Sequence, residues 1–268
     1  MTKASDLPDE VPLLGGRSTV TRRDGIVFRE PAPWSATTLA LLRHLEVEGF
    51  EHAPRVVGDG FDELGREMLT YVEGESIHPY PWQDDAMPVL GAMLRKLHTA
   101  SASFVPPANA VWRLWFGRAL GQPSVIGLCD TGAWNIIARD KSPAAFIDWE
   151  EAGPVDPMIE LAQACWLNGL LFDDDLAEIL GLGSVASRGR QIKMLLDGYG
   201  LPASRRPGFV GLIRDFAILS AANEAIEAKV TPETREAAAL WSVTWRTRSA
   251  GWLVKHHDTL ESIVSAAF

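Results

Sequence analysis

Several features are scarce in this 268-residue sequence, and each scarcity narrows what the protein can be. There are two cysteines, Cys129 and Cys165, which lie far apart and lack the spacing of a metal site or a redox pair. We therefore expect two reduced, buried thiols. No apolar run is long enough to span a membrane, and the N-terminal MTKASDLPDE is polar and acidic. We expect a cytoplasmic protein without a membrane partner.

Positive charge is also in short supply. The sequence has 25 Lys and Arg against 35 Asp and Glu, a net charge of −10. Nucleic-acid binding needs a basic surface that neutralises phosphates, so the sequence argues against such a partner. An acidic protein suits a cationic ligand better, but acidic charge also serves solubility alone, and that interpretation is favoured.

The N-terminal part is typical of a β-rich unit with one helix. Between residues 14 and 72, short β-branched runs at 19–21 and 26–28 flank Asp24-Gly25, a strong hairpin pattern. A helix capped by Ser35 and ending near Gly49 follows, and then strands at 55–57 and 68–72 enclose a turn-rich stretch. This pattern predicts five strands and one helix.

The character of the sequence changes after Gly74, where helical patterns dominate. Met87, Leu90 and Leu94 recur at helical spacing within 84–100, and further helices are predicted at 157–171, 187–199, 208–229 and 232–266. We therefore predict two lobes, residues 1–73 and 74–268, in an α+β protein with a cleft between them. With 47% hydrophobic residues, the chain can build a sizeable core.

The most informative segment runs from residue 125 to residue 162. Asp130 follows an apolar strand, Asn135 comes five residues later, and a second apolar strand ends on Asp148. A β-hairpin of this length would bring the three side chains together at one end of the hairpin. Phosphoryl transfer needs such groups: a carboxylate that orients and deprotonates the acceptor hydroxyl, and oxygen ligands that hold Mg²⁺ against nucleotide phosphates.

The motifs in this segment resemble those of the aminoglycoside phosphotransferase family, which has the protein-kinase fold. They are D-x-x-x-x-N, then I-D-W-E, then G-x-x-D-P at the start of a helix. The resemblance covers about residues 15–199. It implies a small β-rich lobe that binds ATP or GTP, and a larger helical lobe for catalysis and substrate. It also implies Asp130 as catalytic base, Asn135 and Asp148 as magnesium ligands, and Tyr71 beside the adenine.

The sequence departs from this pattern in the N-terminal lobe. Kinases use a strand lysine to hold the nucleotide phosphates, and a helix glutamate steadies it. No lysine occurs between Lys3 and Lys96, and Arg29 is the residue that fits the position. The following helix offers Thr37 and Thr38 in its first turns, with Glu46 far along. We expect the loop containing Gly15 and Gly16 to cover the phosphates.

The catalytic loop departs from the family as well. This chain has Leu128-Cys129-Asp130 where the family has H-G-D. The histidine of that motif supports the loop by packing and hydrogen bonding, so we expect Leu128 to replace it by packing alone.

Several other polar and aromatic residues have ordinary structural interpretations. The acidic run 173–175 is expected to start a helix, although it could also line a pocket for a cationic substrate. His98 is expected to be a buried structural histidine, and His256 and His257 surface residues. Trp241, Trp245 and Trp252 recur at helical spacing, which indicates a buried face.

Two functions remain in view. The first is a Mg²⁺-dependent phosphotransferase that uses ATP or GTP to modify a hydroxyl of a small molecule, such as an aminoglycoside-like antibiotic or a metabolite. That activity would be typical of antibiotic resistance. The alternative is a catalytically impaired, kinase-like binding or immunity protein, which the missing lysine, glutamate and histidine favour. The sequence does not indicate an oligomeric state.

Overall fold

The first part of the described chain is a five-stranded antiparallel sheet with one helix. The structure is a computed structural model that describes residues 10–13 and 20–266. The sheet has the order β1 (Val11–Pro12), β2 (Val20–Arg23), β3 (Ile26–Arg29), β5 (Glu67–Thr70) and β4 (Val56–Phe61), and the helix is α1 (Ser35–Val47). Five strands and one helix are found as predicted, but the fifth strand is β1, which lies before the predicted range of residues 14–72. The predicted phosphate-covering loop, with Gly15 and Gly16, lies outside the described residues.

Local sequence chemistry explains the strands on either side of the first hairpin. Asp24 and Gly25 both have positive φ, as expected for the tight turn between β2 and β3. The prediction of a turn after residue 57 is wrong, because β4 continues to Phe61. Positive φ values at Gly58 and Gly60, together with a shifted register against β5, let the strand pass through this stretch.

The rest of the described chain is mainly helical. Its helices are α2 (Ala86–Ser101), α3 (Pro157–Asn168), α4 (Asp174–Ile179), α5 (Val185–Tyr199), α6 (Phe209–Glu227), α7 (Ala237–Lys255) and α8 (His257–Val264). Two small antiparallel pairs accompany them: β6 (Val125–Gly127) with β9 (Gly153–Val155), and β7 (Ile136–Arg139) with β8 (Ser142–Phe146).

Helix boundaries differ from expectation in three places. The prediction of a single helix over 232–266 is wrong. The helix is interrupted at His256, and the separate helix α8 packs against α5. α1 begins at Ser35 itself with Trp34 as N-cap, and the Ser35 hydroxyl accepts a hydrogen bond from the Ala32 N–H at 2.7 Å. α3 ends at Asn168, before the predicted limit.

Helices α2 and α5 approach each other closely through two glycines. A Cβ added at Gly91 would lie 2.0 Å from the carbonyl oxygen of Leu195, and one at Gly198 would lie 2.0 Å from that of Pro88. Only glycine permits such contact between backbones. The pair forms a firm base under β6, the strand that leads into the catalytic loop.

Backbone hydrogen bonds connect the β7–β8 hairpin to the N-terminal part of the chain. Glu75 and Ala138 exchange two N–H···O bonds, of 3.0 and 2.8 Å, and the Phe146 N–H donates to the His52 carbonyl at 2.9 Å. These bonds hold the β7–β8 hairpin against the N-terminal part of the chain. A cleft lies between the hairpin and the five-stranded sheet. No helix in the described ranges has the length and apolar character of a membrane span.

Candidate active site

The carboxylate of Asp130 lies in the loop after β6 and is held in one orientation. Its Oδ2 accepts hydrogen bonds from Trp134 Nε1 at 3.1 Å and from Asn135 Nδ2 at 2.8 Å. Burial, with a further contribution from the negative charge of Asp148, raises the pKa of Asp130. A fixed carboxylate with a raised pKa is a suitable acceptor for a hydroxyl proton.

Three polar side chains of α3 support this loop from below. Glu160 Oε1 accepts from the Cys129 N–H at 2.6 Å, and Gln163 Oε1 accepts from the Thr131 N–H at 3.1 Å. Gln163 Nε2 donates to the Cys129 carbonyl at 2.9 Å, and Asn168 Nδ2 donates to the Thr131 carbonyl at 2.7 Å. The sequence reasoning missed these residues, although polar groups on an otherwise apolar helix were the available indication.

A buried histidine completes the support. His98 Nε2 is hydrogen-bonded to Glu160 Oε2 at 2.6 Å, and His98 Nδ1 to the Tyr199 hydroxyl at 2.8 Å, so the predicted structural role of His98 is confirmed. Leu128 is fully buried in the core, as expected for support by packing. Cys129 has φ 65°, a conformation that the glycine of H-G-D adopts freely and cysteine adopts at a cost.

Asp148 stands at the end of β8 and is brought close to Asn135. It has φ 58°, a left-handed conformation that aspartate tolerates better than most residues. The Ile147 N–H donates to the Asn135 carbonyl at 2.9 Å, which fixes the end of the strand beside the catalytic loop. The structure therefore brings Asp130, Asn135 and Asp148 to one edge of the cleft.

Arg29 reaches this edge from the opposite wall. Its Nη2 donates to Asp148 Oδ1 at 2.7 Å, and its Nη1 lies 3.7 Å from Glu150 Oε2. Burial of these groups is partial, with a fifth of the Arg29 side chain exposed (20%). The position inferred from the sequence thus places a guanidinium directly against the acidic edge.

The donor set at this edge fits Mg²⁺. Asp148 offers a carboxylate and Asn135 an amide oxygen, while the Asn135 amide nitrogen is turned to Asp130. Mg²⁺ is commonly held by one or two protein oxygens together with water and substrate phosphates. Within residues 10–13 and 20–266 no group of three or more His, Cys, Asp or Glu side chains could hold a metal ion by itself. A cation here would therefore complete its coordination with water or nucleotide phosphates.

Two arginines that the sequence reasoning did not single out fasten the segment after Asp148. Arg113 is ion-paired with Glu150, and its Nε lies 3.1 Å from Glu151 Oε1. Arg118 Nη2 donates to the Glu151 carbonyl at 2.6 Å, while its Nη1 donates to Cys129 Sγ at 3.5 Å. One guanidinium thus joins the loop before Asp130 to the segment after Asp148.

A cavity of about 610 Å³ opens onto these groups. One part of its lining is apolar, and the residues there are Val20, Val27, Leu69, Tyr71, Val72, Ile137 and Ile147. The ring of Tyr71 is covered by the Arg22 guanidinium, 3.6 Å from the ring centroid. This part suits a flat, apolar base, and adenine contact by Tyr71 stays a prediction.

The other half of the cavity is aromatic and acidic. Its aromatic residues are Trp115, Phe116, Trp134, Trp166 and Trp245, and its acidic residues include Glu151, Glu224 and Glu227. Two arginines also line it, Arg113 ion-paired with Glu151 and Arg246 ion-paired with Glu224. Trp245 stacks on Trp166 with ring centroids 5.2 Å apart. The prediction of a wholly buried tryptophan face on α7 is therefore correct for Trp252 only. Trp245 faces the cavity and Trp241 is 46% exposed.

The acidic run at residues 173–175 lies outside the lining of this cavity. Asp173 caps α4 by accepting from the Asp175 N–H at 3.1 Å, and it is ion-paired with Arg248. Asp174 lies 2.9 Å from Lys255 Nζ. The expectation that this run starts a helix is confirmed.

The expectation of two reduced, buried thiols is confirmed as well, because Cys129 and Cys165 are both buried and form no disulfide.

Two comparisons of the sequence decide the relationship. Residues 108–207 match the model of the "Phosphotransferase enzyme family". The chain is also 58% identical over 259 residues to the "Trifolitoxin immunity protein" of Rhizobium leguminosarum bv. trifolii, covering 96% of this chain and 99% of that one. The chain belongs to the aminoglycoside phosphotransferase family.

Solved structures of small-molecule kinases share the fold of this family member. An amicoumacin kinase complex with AMP-PNP and Ca²⁺ superposes with a TM-score of 0.69, at 11% identity, over 91% of this chain and 89% of that one. A microcompartment-associated aminopropanol kinase gives a TM-score of 0.65, at 13% identity, over 94% and 93%. The predicted kinase-like α+β fold is confirmed, and at such identities these likenesses concern the fold alone.

Proposed function

We propose that the protein is a nucleotide-dependent phosphotransferase that protects its host by modifying a toxin of the trifolitoxin kind. The observation that carries this proposal is the Asp130 carboxylate, fixed by Trp134 and Asn135 at a cavity it shares with Asp148 and Arg29. The immunity role is drawn from the relative with 58% identity. The acceptor would be a hydroxyl of the toxin.

Asp130 would perform the proton chemistry. The acceptor hydroxyl, bound in the aromatic and acidic half of the cavity, places its hydrogen on the Asp130 carboxylate. As its oxygen bonds to the terminal phosphorus, the bond from phosphorus to the bridging oxygen breaks and the nucleoside diphosphate leaves. Trp134 and Asn135 keep the carboxylate aimed throughout, so little reorganisation is needed.

The opposite wall would hold the donor. The apolar residues near Tyr71 enclose the base, and the Arg29 guanidinium binds phosphate oxygens with its planar fork. Asn135 and Asp148 would hold Mg²⁺, which neutralises charge on the phosphates when bound. Arg113 and Arg118 keep the Asp148 segment in register with the catalytic loop.

One observation favours a second function, a binding protein that sequesters the toxin without transfer. Arg29 donates a 2.7 Å hydrogen bond to Asp148, so this carboxylate has a cationic partner within the chain itself. Such a protein would still use the aromatic and acidic half of the cavity.

Asp130→Asn separates the two functions, because it keeps the shape of the side chain and removes the proton acceptor. Sensitive bacteria that produce either form are challenged with trifolitoxin, and purified toxin is incubated with protein, ATP or GTP, and Mg²⁺. Transfer predicts that the variant loses protection, and that only the unmodified protein adds the mass of a phosphoryl group to the toxin. Asp140→Asn, on the exposed β7–β8 turn, is the matched control. Protection that survives in Asp130→Asn would show sequestration instead.

A further inference from the structure

Three carboxylates surround the Arg29 guanidinium, and they are not equivalent. Asp148 accepts its closest hydrogen bond, at 2.7 Å. Glu150 lies at 3.7 Å and is also ion-paired with Arg113. Glu67 stands directly opposite Arg29 in the antiparallel β3–β5 ladder and adds to its electrostatic field. Arg29 is thus shared among acidic groups from two sides of the cleft.

Glu67 is the buried member of this group. The residue is 7% exposed, and the structure shows no ion pair for it among the described residues. Burial raises the pKa of Glu67, and a hydrogen bond from the Ser35 hydroxyl at the start of α1 opposes that effect. Ser35 is itself fixed, because its oxygen accepts from the Ala32 N–H. A buried carboxylate with so little compensation gains strongly from a nearby cation.

Helix α1 offers no competing partner for Arg29. Its first turn contains no acidic residue, and Glu46 near its end lies 3.8 Å from Arg55. Helix α1 therefore supplies no carboxylate to Arg29, and the acidic residue of the sheet that acts on its charge is Glu67, its partner in the β3–β5 ladder.

We propose that Glu67 is a positioning residue that receives Arg29 when a divalent cation occupies Asp148. The inference rests on the proposed nucleotide site. In the structure Arg29 lies on Asp148, which is the place a cation would take. When Arg29 is released from Asp148, two carboxylates remain as partners for its guanidinium. Glu150 is already paired with Arg113, whereas Glu67 has no ion pair with any arginine that the structure describes. Held by Glu67, the guanidinium stays at the cavity wall where phosphates would bind.

A thermodynamic cycle in nucleotide-free protein tests this exchange. Mn²⁺ affinity is measured at pH 8 by electron paramagnetic resonance for the unmodified protein, Arg29→Gln, Glu67→Gln and the double variant. Loss of Glu67 keeps Arg29 on Asp148, so we expect Glu67→Gln to weaken Mn²⁺ binding about fivefold or more. In the Arg29→Gln background the same change should have no effect. Glu63→Gln, on an exposed turn, is the control, and thermal melting verifies folding.

The outcomes are distinct from those for the proposed function. A field effect of Glu67 alone would weaken Mn²⁺ binding equally in both backgrounds, and that result would overturn the exchange. The exchange would also be overturned if Glu67→Gln had no effect on Mn²⁺ affinity. The same holds if even the Arg29→Gln variant did not bind Mn²⁺. A protein that shows the cycle but no phosphoryl transfer with ATP or GTP would contradict the proposed function and leave the Arg29 exchange standing.

Discussion

Glu151 is a residue of the cavity lining with a strongly raised pKa. Burial raises the pKa of Glu151 from its usual 4.5 to about 7, although the positive charge of Arg113 acts in the opposite direction. Its Oε1 faces Arg113, and its Oε2 is buried without a hydrogen-bond partner in the described part of the chain. Unpaired buried oxygens favour the neutral form of a carboxyl group. Glu151 therefore changes charge within the physiological range.

This shift predicts a pH-dependent loss of stability. The unfolded chain releases the Glu151 proton near pH 4.5, whereas the folded chain keeps it to about pH 7, so the free energy of unfolding falls between these values. Glu151→Gln should be more stable than the unmodified protein at pH 8 by about 1–3 kcal/mol, and nearly equal to it at pH 4.5. Urea unfolding across this range measures the difference. Glu63→Gln, on an exposed turn far from Glu151 in the sequence, should show no such trend.

Among elements, the α2–α5 pair depends on the absence of a side chain at two positions. Gly91→Ala or Gly198→Ala places a Cβ against backbone atoms that cannot move aside, and each should lower the free energy of unfolding by about 1–3 kcal/mol. Gly251→Ala on α7 is the control, because nothing lies within 4 Å of its Cβ position. That substitution should stabilise the protein by about 0.5–1 kcal/mol. Equal effects in all three variants, measured by urea unfolding, would contradict this account of the helix pair.

At the scale of the whole molecule, nucleotide should join the two walls of the cleft. ATP or GTP at about a hundred times its dissociation constant adds about 2.7 kcal/mol to the folded state, which corresponds to a rise in Tm of about 5 °C or more. We expect this rise only with Mg²⁺, and not in Asp148→Ala. Differential scanning fluorimetry provides the measurement, with Asp140→Ala as control. A nucleotide response that survives in Asp148→Ala would remove Asp148 from the metal site.

The sequence predicted the parts of the molecule that follow from local pattern. The hairpin at Asp24-Gly25, the Asp156-Pro157 start of α3, and the meeting of Asp130 with Asn135 and Asp148 all depend on short spacing and turn chemistry. Asp156, for example, caps α3 by accepting from the Met158 N–H at 2.8 Å.

Contacts between residues distant in sequence were not predictable in this way. Glu160 lies 31 residues from Cys129, whose N–H it accepts. Arg29 lies 119 residues from Asp148. The break at His256 follows from the packing of α8 on α5, which no periodicity within 232–266 reveals. Such contacts depend on how whole elements are placed.

The cavity wall formed by α6 and α7 lies outside the part of the chain that matches the family model. The match to the family ends at residue 207, and α6 begins at Phe209. Asp130, Asn135 and Asp148 lie within the matched segment, whereas Glu224, Glu227 and Trp245 lie beyond it. Substitutions in the last quarter of the chain can therefore change the shape and charge of this cavity wall without altering Asp130, Asn135 or Asp148.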